Sequence, residues 1–247
     1  MLFGAVGAFG VAIAVVLIVV SVVGSSDNKA AATTTSTTAG SPRATATTPA
    51  APASVPGAAA TLALFKGIPQ QLSVLGEASA PLTMIEFADL QCPFCREYTT
   101  SALPALVARY VRPGKAKFVF AGMHFIGPDS EKALRAVYAA GLQGHLWQYL
   151  DLLYKRQGPE NAGWVTDDLL RSVGASLPGF DTDKMLADMS SPEVTNALAA
   201  ADRQAQNASV RSTPTFFAGK TGGTLEHINL TALTPEAFRP TLDALTG

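Results

Sequence analysis

The sequence predicts an α/β domain interrupted by an all-helical block and set behind an apolar segment and a low-complexity tract. Three observations predict it. The run Leu82-Thr83-Met84-Ile85-Glu86-Phe87-Ala88-Asp89-Leu90 reads as a strand and leads into Cys92-Pro93-Phe94-Cys95, after which apolar residues recur at helical spacing. From about residue 127 to 208 the chain carries helical patterns and no strand pattern. Strand character then returns at Thr215-Phe216-Phe217-Ala218-Gly219.

The chain opens with an uncharged run, Leu2 to Val23. As a helix rising about 1.5 Å per residue, it is long enough to cross a bilayer core of roughly 30 Å. A signal-peptide core is shorter, about 7–15 residues, with basic residues before it. No Lys or Arg precedes this run, so residues 1–23 are expected to be a retained transmembrane anchor. A cleaved signal is the alternative, with Val22-Val23-Gly24 or Ala30-Ala31-Ala32 as small-residue cleavage sites. Lys29 and Arg43 follow the run, an order the positive-inside rule does not favour for an outward C-terminus.

Residues 24–61 are rich in Thr, Ala, Ser and Pro and lack aromatic residues. Such a tract has nothing to pack and reads as a disordered linker. As a flexible tether it would span roughly 30–35 Å. The folded domain is expected over residues 62–247.

Within it, Gln71 to Gly76 reads as a short first strand. The helix that starts at the C-x-x-C contains Pro104, which should kink it. Lys117 to Phe125 reads as the next strand, completing a βαβ unit. Pro128-Asp129-Ser130-Glu131 opens a helix with Asp129 or Ser130 as N-cap. A helix around Leu146 to Tyr154 and three more, at 167–173, 181–189 and 192–206, fill the block. Thr224 to Leu230 reads as the last strand. Thr234-Pro235 then starts a final helix, with Phe238, Leu242 and Leu245 on one face.

The charge balance, Lys+Arg 18 against Asp+Glu 19, gives no basic surface for nucleic acid. The two cysteines of the chain are Cys92 and Cys95. A zinc site needs four ligands, and His124, His145 and His227 are scattered without metal-ligand spacing. Haem attachment needs a His after the second Cys, where Arg96 stands. A disulfide across two intervening residues closes a small loop and removes little chain entropy. A redox pair remains, with neither metal nor cofactor expected.

Placement gives the pair its chemistry. A Cys at a helix N-terminus faces free backbone N–H groups and the positive end of the helix dipole, which favour a thiolate. Pro93 suits the first helical turn, where its missing N–H costs nothing. Cys92 is expected to be the exposed nucleophile and Cys95, one turn on, the buried resolving thiol. Phe94 lies beside the sulfur and can neither donate a hydrogen bond nor carry positive charge. It also reads as a surface aromatic for protein substrates. The three histidines read as ordinary structural residues. Asn207-Ala208-Ser209 and Asn229-Leu230-Thr231 fit a glycosylation pattern too short to carry weight.

Glu86 to Arg96, Leu103-Pro104, Gln143 to Tyr149 and Val210 to Phe217, in this order, resemble the DsbA-like branch of the thioredoxin superfamily. The similarity is strongest to the membrane-tethered thiol–disulfide oxidoreductases of that branch and covers about Leu72 to Leu245. It implies a thioredoxin fold with an inserted helical domain at about 127–208. It also implies that Pro214 is a cis-proline opposite the pair and that Thr213 offers backbone groups to an extended substrate. Glu86 corresponds to a buried acid that takes or relays the proton of Cys95; a solvent-facing strand carboxylate is its alternative. Asp89 reads as a residue that shapes the turn. Ser212 stands where glycine is common, and Phe94 where the best-known oxidants have His.

The resulting expectation is an extracytoplasmic oxidoreductase that donates a Cys92–Cys95 disulfide to reduced secreted or envelope proteins. The resemblance implies recycling by a membrane quinone-linked thiol oxidase. A reductase or isomerase on the same fold, or a non-catalytic thioredoxin-like binding module, are the alternatives.

Overall fold

A computed structural model of the chain describes residues 54–246. The expected membrane segment at 1–23 and the linker as far as residue 53 lie outside the described residues. Among the described residues no helix is long and apolar enough to cross a membrane.

The chain is already packed at Val55, whose N–H donates to Ser176 Oγ at 2.8 Å. Helix α1, Ala58–Phe65, follows. The domain therefore begins before residue 62, where the composition had placed it. Ala58-Ala59-Ala60 looks like more low-complexity sequence, yet alanine is the best helix former. Thr61 on this helix is buried against Asp151 and Lys155, and Phe65 packs on Trp147 with ring centroids 6.4 Å apart.

The expected first strand is a small hairpin, β1 Gln70–Gln71 and β2 Val74–Leu75. Gln70 pairs with Leu75 and Gln71 with Val74, so Leu72 and Ser73 form the turn. Leu72 adopts φ 49°, a left-handed value that ends any continuous strand there. The core of the sheet is β3 Leu82–Asp89 and β4 Ala116–Met123, paired in parallel, with β5 Thr215–Lys220 antiparallel on the other side of β3. A two-residue strand, β6 Glu226–His227, closes that edge, giving the order β1-β2-β4-β3-β5-β6. The last strand is shorter than Thr224 to Leu230 suggested.

Every residue of β3 is buried, because helices cover both faces of the sheet. The pleat sorts its side chains. Ile85 and Phe87 join Val119, Phe217 and the helix residues Ala201 and Ala205 in one core. Leu82, Met84 and Ala88 join the larger core with Phe118, Phe120, Phe216 and both cysteines. Glu86 belongs to this second register, opposite Phe120 on β4 and Phe216 on β5.

Between β3 and β4 run α2 Pro93–Ser101 and α3 Leu103–Leu106, followed by a π-helical turn at Val107–Val111. Pro104 opens α3, so the expected kink is a break between two helices. Five helices separate β4 from β5: α4 Pro128–Gly141, α5 Leu146–Lys155, α6 Asp167–Ala175, α7 Thr182–Asp188 and α8 Pro192–Asn207. This is the helical insertion the sequence predicts. The N-cap of α4 is Gly127, and neither Asp129 nor Ser130 caps it. Their side chains are engaged elsewhere: Asp129 Oδ2 accepts from Trp164 N, and Ser130 Oγ donates to Asp89. The chain ends on α9 Pro235–Thr246, with Phe238 and Leu242 buried.

Candidate active site

Strand β3 delivers the chain to a tight turn, closed by Cys92 N donating to Asp89 O at 3.0 Å. Cys92 is the N-cap of α2 and Pro93 its first residue, so the helix N-terminus begins at the sulfur. Across from it, the Thr213–Pro214 peptide is cis. Cys92 Sγ donates to the carbonyl of Thr213 at 3.3 Å. Both cysteines are free thiols in this structure.

One expectation needs correcting. Cys92 was expected to be exposed, yet it is only 4% accessible, against 0% for Cys95. The Thr213–Pro214 segment lies against its sulfur, a contact between residues 121 apart in sequence. Pro93 and Phe94 are the exposed members of the motif, Phe94 at 59%.

The two thiols are driven apart. The Cys92 thiol is lowered to about 6 from an ordinary 9.0, chiefly by a hydrogen bond from the Cys95 side chain. Burial opposes this, while the Thr213 contact and the backbone N–H groups of Cys95 and Phe94 assist it. Burial pushes the Cys95 thiol well up, and its hydrogen bond to Cys92 and the Cys92 charge push it further.

Glu86 is 2% accessible and lies on the sheet face that carries the cysteines. Neither of its carboxyl oxygens has a hydrogen-bond partner among the described residues. Burial holds its pKa well above the usual carboxylate range, and the Cys92 charge raises it further. Burial of this kind favours the protonated form of the acid. The wall around it is aromatic: the rings of Phe216 and Tyr98 have centroids 4.6 Å apart, and the Tyr98 hydroxyl is buried without a hydrogen-bond partner among the described residues.

A family model described as Thioredoxin matches residues 70–244. The chain belongs to that family. It is 32% identical over 146 residues to a probable disulfide bond formation protein D of Bacillus cereus, covering 58% of this chain and 68% of that protein. Among solved structures, oxidised BdbD from Bacillus subtilis superposes with a TM-score of 0.61 at 20% identity, over 72% of this chain and 97% of that one. The alpha-DsbA1 of Wolbachia pipientis gives 0.61 at 18% identity, over 74% and 92%. The protein is a DsbA-like thiol–disulfide oxidoreductase of the thioredoxin superfamily.

As expected of it, Asp89 shapes the turn in this oxidoreductase. Its Oδ1 accepts from Gln91 N at 2.9 Å and from Ser130 Oγ at 2.6 Å, and its Oδ2 from Ile126 N at 3.1 Å. Three polar residues to which the sequence assigned no role, Gln91, Gln157 and Asn161, complete the support. Gln91 reaches Ser130 Oγ at 2.9 Å and accepts from Asn161 N at 2.6 Å. Gln157 Nε2 donates to the carbonyls of Leu90 and Cys92. Gln157 and Asn161 lie in the Gly- and Pro-containing stretch Gln157 to Gly163, whose composition signals a loop and not a partner of the cysteines.

The histidines stand apart from the pair. His124 meets Asp202 at 3.4 Å, His145 packs on Phe180 with centroids 5.5 Å apart, and His227 lies exposed on the edge strand β6.

Proposed function

We propose that the protein is a disulfide-donating oxidase that acts outside the cytoplasm on reduced secreted or envelope proteins. A substrate thiolate attacks Cys92 of the Cys92–Cys95 disulfide, forming a mixed disulfide and expelling the Cys95 sulfur. Cys95 takes a proton, for which Glu86, buried on the same side of the sheet with its protonated form favoured, is the candidate donor. A second substrate thiolate then attacks the substrate sulfur of the mixed disulfide. The substrate gains its own disulfide, and Cys92 leaves as a thiolate. The enzyme ends two electrons more reduced and the substrate two electrons more oxidised.

The observation that carries this reading is the Cys92 sulfur at the N-cap of α2, against the Thr213 carbonyl, where its thiol is lowered to about 6. A thiolate that is stable at neutral pH is a good leaving group and stabilises the reduced enzyme, which makes the disulfide oxidising. Thr213 presents a carbonyl to an extended substrate in the same position where it meets the Cys92 sulfur. The exposed Phe94 offers substrates an apolar contact. The location outside the cytoplasm rests on the apolar run at residues 2–23 and the tract behind it. The expected recycling partner is a membrane quinone-linked thiol oxidase, and it rests on the family resemblance.

Phe94 favours a second reading. With no donor or positive charge beside the sulfur, a reductase or isomerase working from the dithiol is the rival. Equilibration with glutathione decides. A potential near −120 mV supports the oxidase, and one near −270 mV supports the reductase. Cys92→Ser must abolish exchange in either case. The mass of the mature protein in a membrane fraction tests the anchor.

A further inference from the structure

The loop that carries Cys92 is held, residue by residue, by one stretch of the helical insertion. Tyr154 OH donates to Asp89 O at 3.1 Å. Gln157 Nε2 donates to Leu90 O at 2.8 Å and to Cys92 O at 3.0 Å. Asn161 N donates to Gln91 Oε1 at 2.6 Å. These bonds join residues 65 to 70 apart in sequence. The stretch is itself fixed. A side chain at Gly158 would meet the indole of Trp164 at 2.7 Å, and one at Gly127 would run into Asn161 Oδ1. Both glycines allow close approach that any larger residue blocks.

Gln157 is the member of this set that touches the nucleophile's own backbone. Its amide nitrogen has two hydrogens, and the two carbonyls take one each. The Cys92 carbonyl belongs to the Cys92–Pro93 peptide, whose nitrogen has no hydrogen to anchor it. That carbonyl also accepts Arg96 N at 3.2 Å, the first bond of the helix. The orientation of this peptide fixes where the Phe94 and Cys95 N–H groups point.

We propose that Gln157 is a positioning residue for thiol–disulfide exchange: by bridging the carbonyls of Leu90 and Cys92 it aims the N-terminal N–H groups of α2 at the Cys92 sulfur. It acts through the Cys92 backbone and does not touch the reacting atoms. The insertion thereby sets the redox character of a pair that belongs to the thioredoxin half of the chain. Part of the effect is electrostatic, since donors on these carbonyls reduce the negative charge near a thiolate. The inference rests on Cys92 being the attacking thiolate, and not on the direction of electron flow.

The test uses the full chain with Gln157→Met, which keeps the volume and removes both N–H groups, and Gln157→Glu, which replaces the donor with a negative acceptor. Thiolate absorbance against pH gives the Cys92 pKa, and equilibration with glutathione gives the exchange constant. Gln157→Met should raise the pKa by about one unit and move the constant at pH 7 about fivefold toward a weaker oxidant, which is about 20 mV. Gln157→Glu should move both further in the same direction. Asn161→Gly is the control. It removes the bonds of the Asn161 side chain, to Ile126 O at 3.0 Å and from Gln91 Nε2 at 3.4 Å, keeps the left-handed backbone at φ 55° and leaves the Cys92 carbonyl alone. It should keep wild-type values. The proposal is overturned if folded Gln157→Met and Gln157→Glu stay within twofold of wild type. It is equally overturned if Asn161→Gly shifts as much as they do, because the effect would then be loosening of the loop. The absolute wild-type potential tests the oxidase reading, and the difference between variants tests Gln157, so either can fail alone.

Discussion

The Cys92 thiolate makes a quantitative prediction about how the redox potential depends on pH. With the thiol near 6, about nine-tenths of Cys92 is ionised at pH 7, against about one-hundredth for a thiol at its ordinary 9.0. That difference stabilises the folded, reduced enzyme by about 1.4 kcal/mol at pH 7, or about 30 mV. The folded value lies below the ordinary one, so the stabilisation is complete above about pH 9, where it reaches about 4 kcal/mol. It fades as pH falls through the window from 9 to 6 and is gone below it. Cys95 is pushed up, so it takes a proton on reduction throughout this window. Reduction therefore binds two protons below about pH 6 and one above it. The potential should fall by about 59 mV per pH unit on the acid side and about 30 mV on the neutral side. Glutathione equilibria from pH 4.5 to 8.5 locate the bend. The reduced protein should also gain thermal stability over the oxidised one between pH 6 and 9. A single slope of about 59 mV up to pH 8.5 would refute the reasoning, because it would mean that Cys92 remains a thiol.

Other substitutions probe the groups around the pair. Glu86 has its pKa raised by burial, so it costs stability as pH rises above the ordinary carboxylate range. Glu86→Gln should raise the melting temperature at pH 8, lose that advantage near pH 4, and slow the release of Cys95 from the disulfide in stopped-flow exchange. Tyr98→Phe removes a buried hydroxyl without a partner and should stabilise the fold by about 1 kcal/mol in urea denaturation. Phe94→His places a donor and a partial positive charge beside the sulfur. It should lower the Cys92 pKa by about one unit and raise the potential by about 30 mV, with little effect on stability at so exposed a site.

The parts of the fold that repeat locally were legible in the sequence. The apolar run of β3, the helix after Cys92 and the five helices of the insertion follow from periodicity, which local sequence carries. The errors fall where a contact overrides composition. Ala58 to Phe65 looked like linker because its alanines give no pattern, yet α1 packs through Thr61 and Phe65. Asp129 and Ser130 looked like caps, but the loop at Asp89 and Trp164 N takes their side chains. The site divides in the same way. Cys92, Cys95 and Pro93 are marked by spacing alone. The placing of Thr213 and Pro214 opposite the pair came from the family resemblance, but how closely Thr213 covers Cys92, and the clamp at Gln157, are long-range contacts that no local pattern encodes.

The chemical difference between two thiols three residues apart traces to the pleat of β3. Glu86 faces α2 because its register is that of Met84 and Ala88; a slip by one residue would turn it toward the Ala201 and Ala205 side. On the α2 side it lies among aromatic rings, and burial there raises its pKa and favours the protonated form. An ionised Glu86 would raise both thiols by like-charge repulsion and weaken the thiolate on which exchange depends. Cys95, one turn into α2 and fully buried, is likewise held neutral. Cys92 at the helix N-cap is then the one site in this cluster where negative charge is stabilised, by the Cys95 thiol and the N–H groups of Phe94 and Cys95. Reduction of the pair thus yields one thiolate and one thiol in fixed places. Strand register and helix capping establish that order before any substrate arrives.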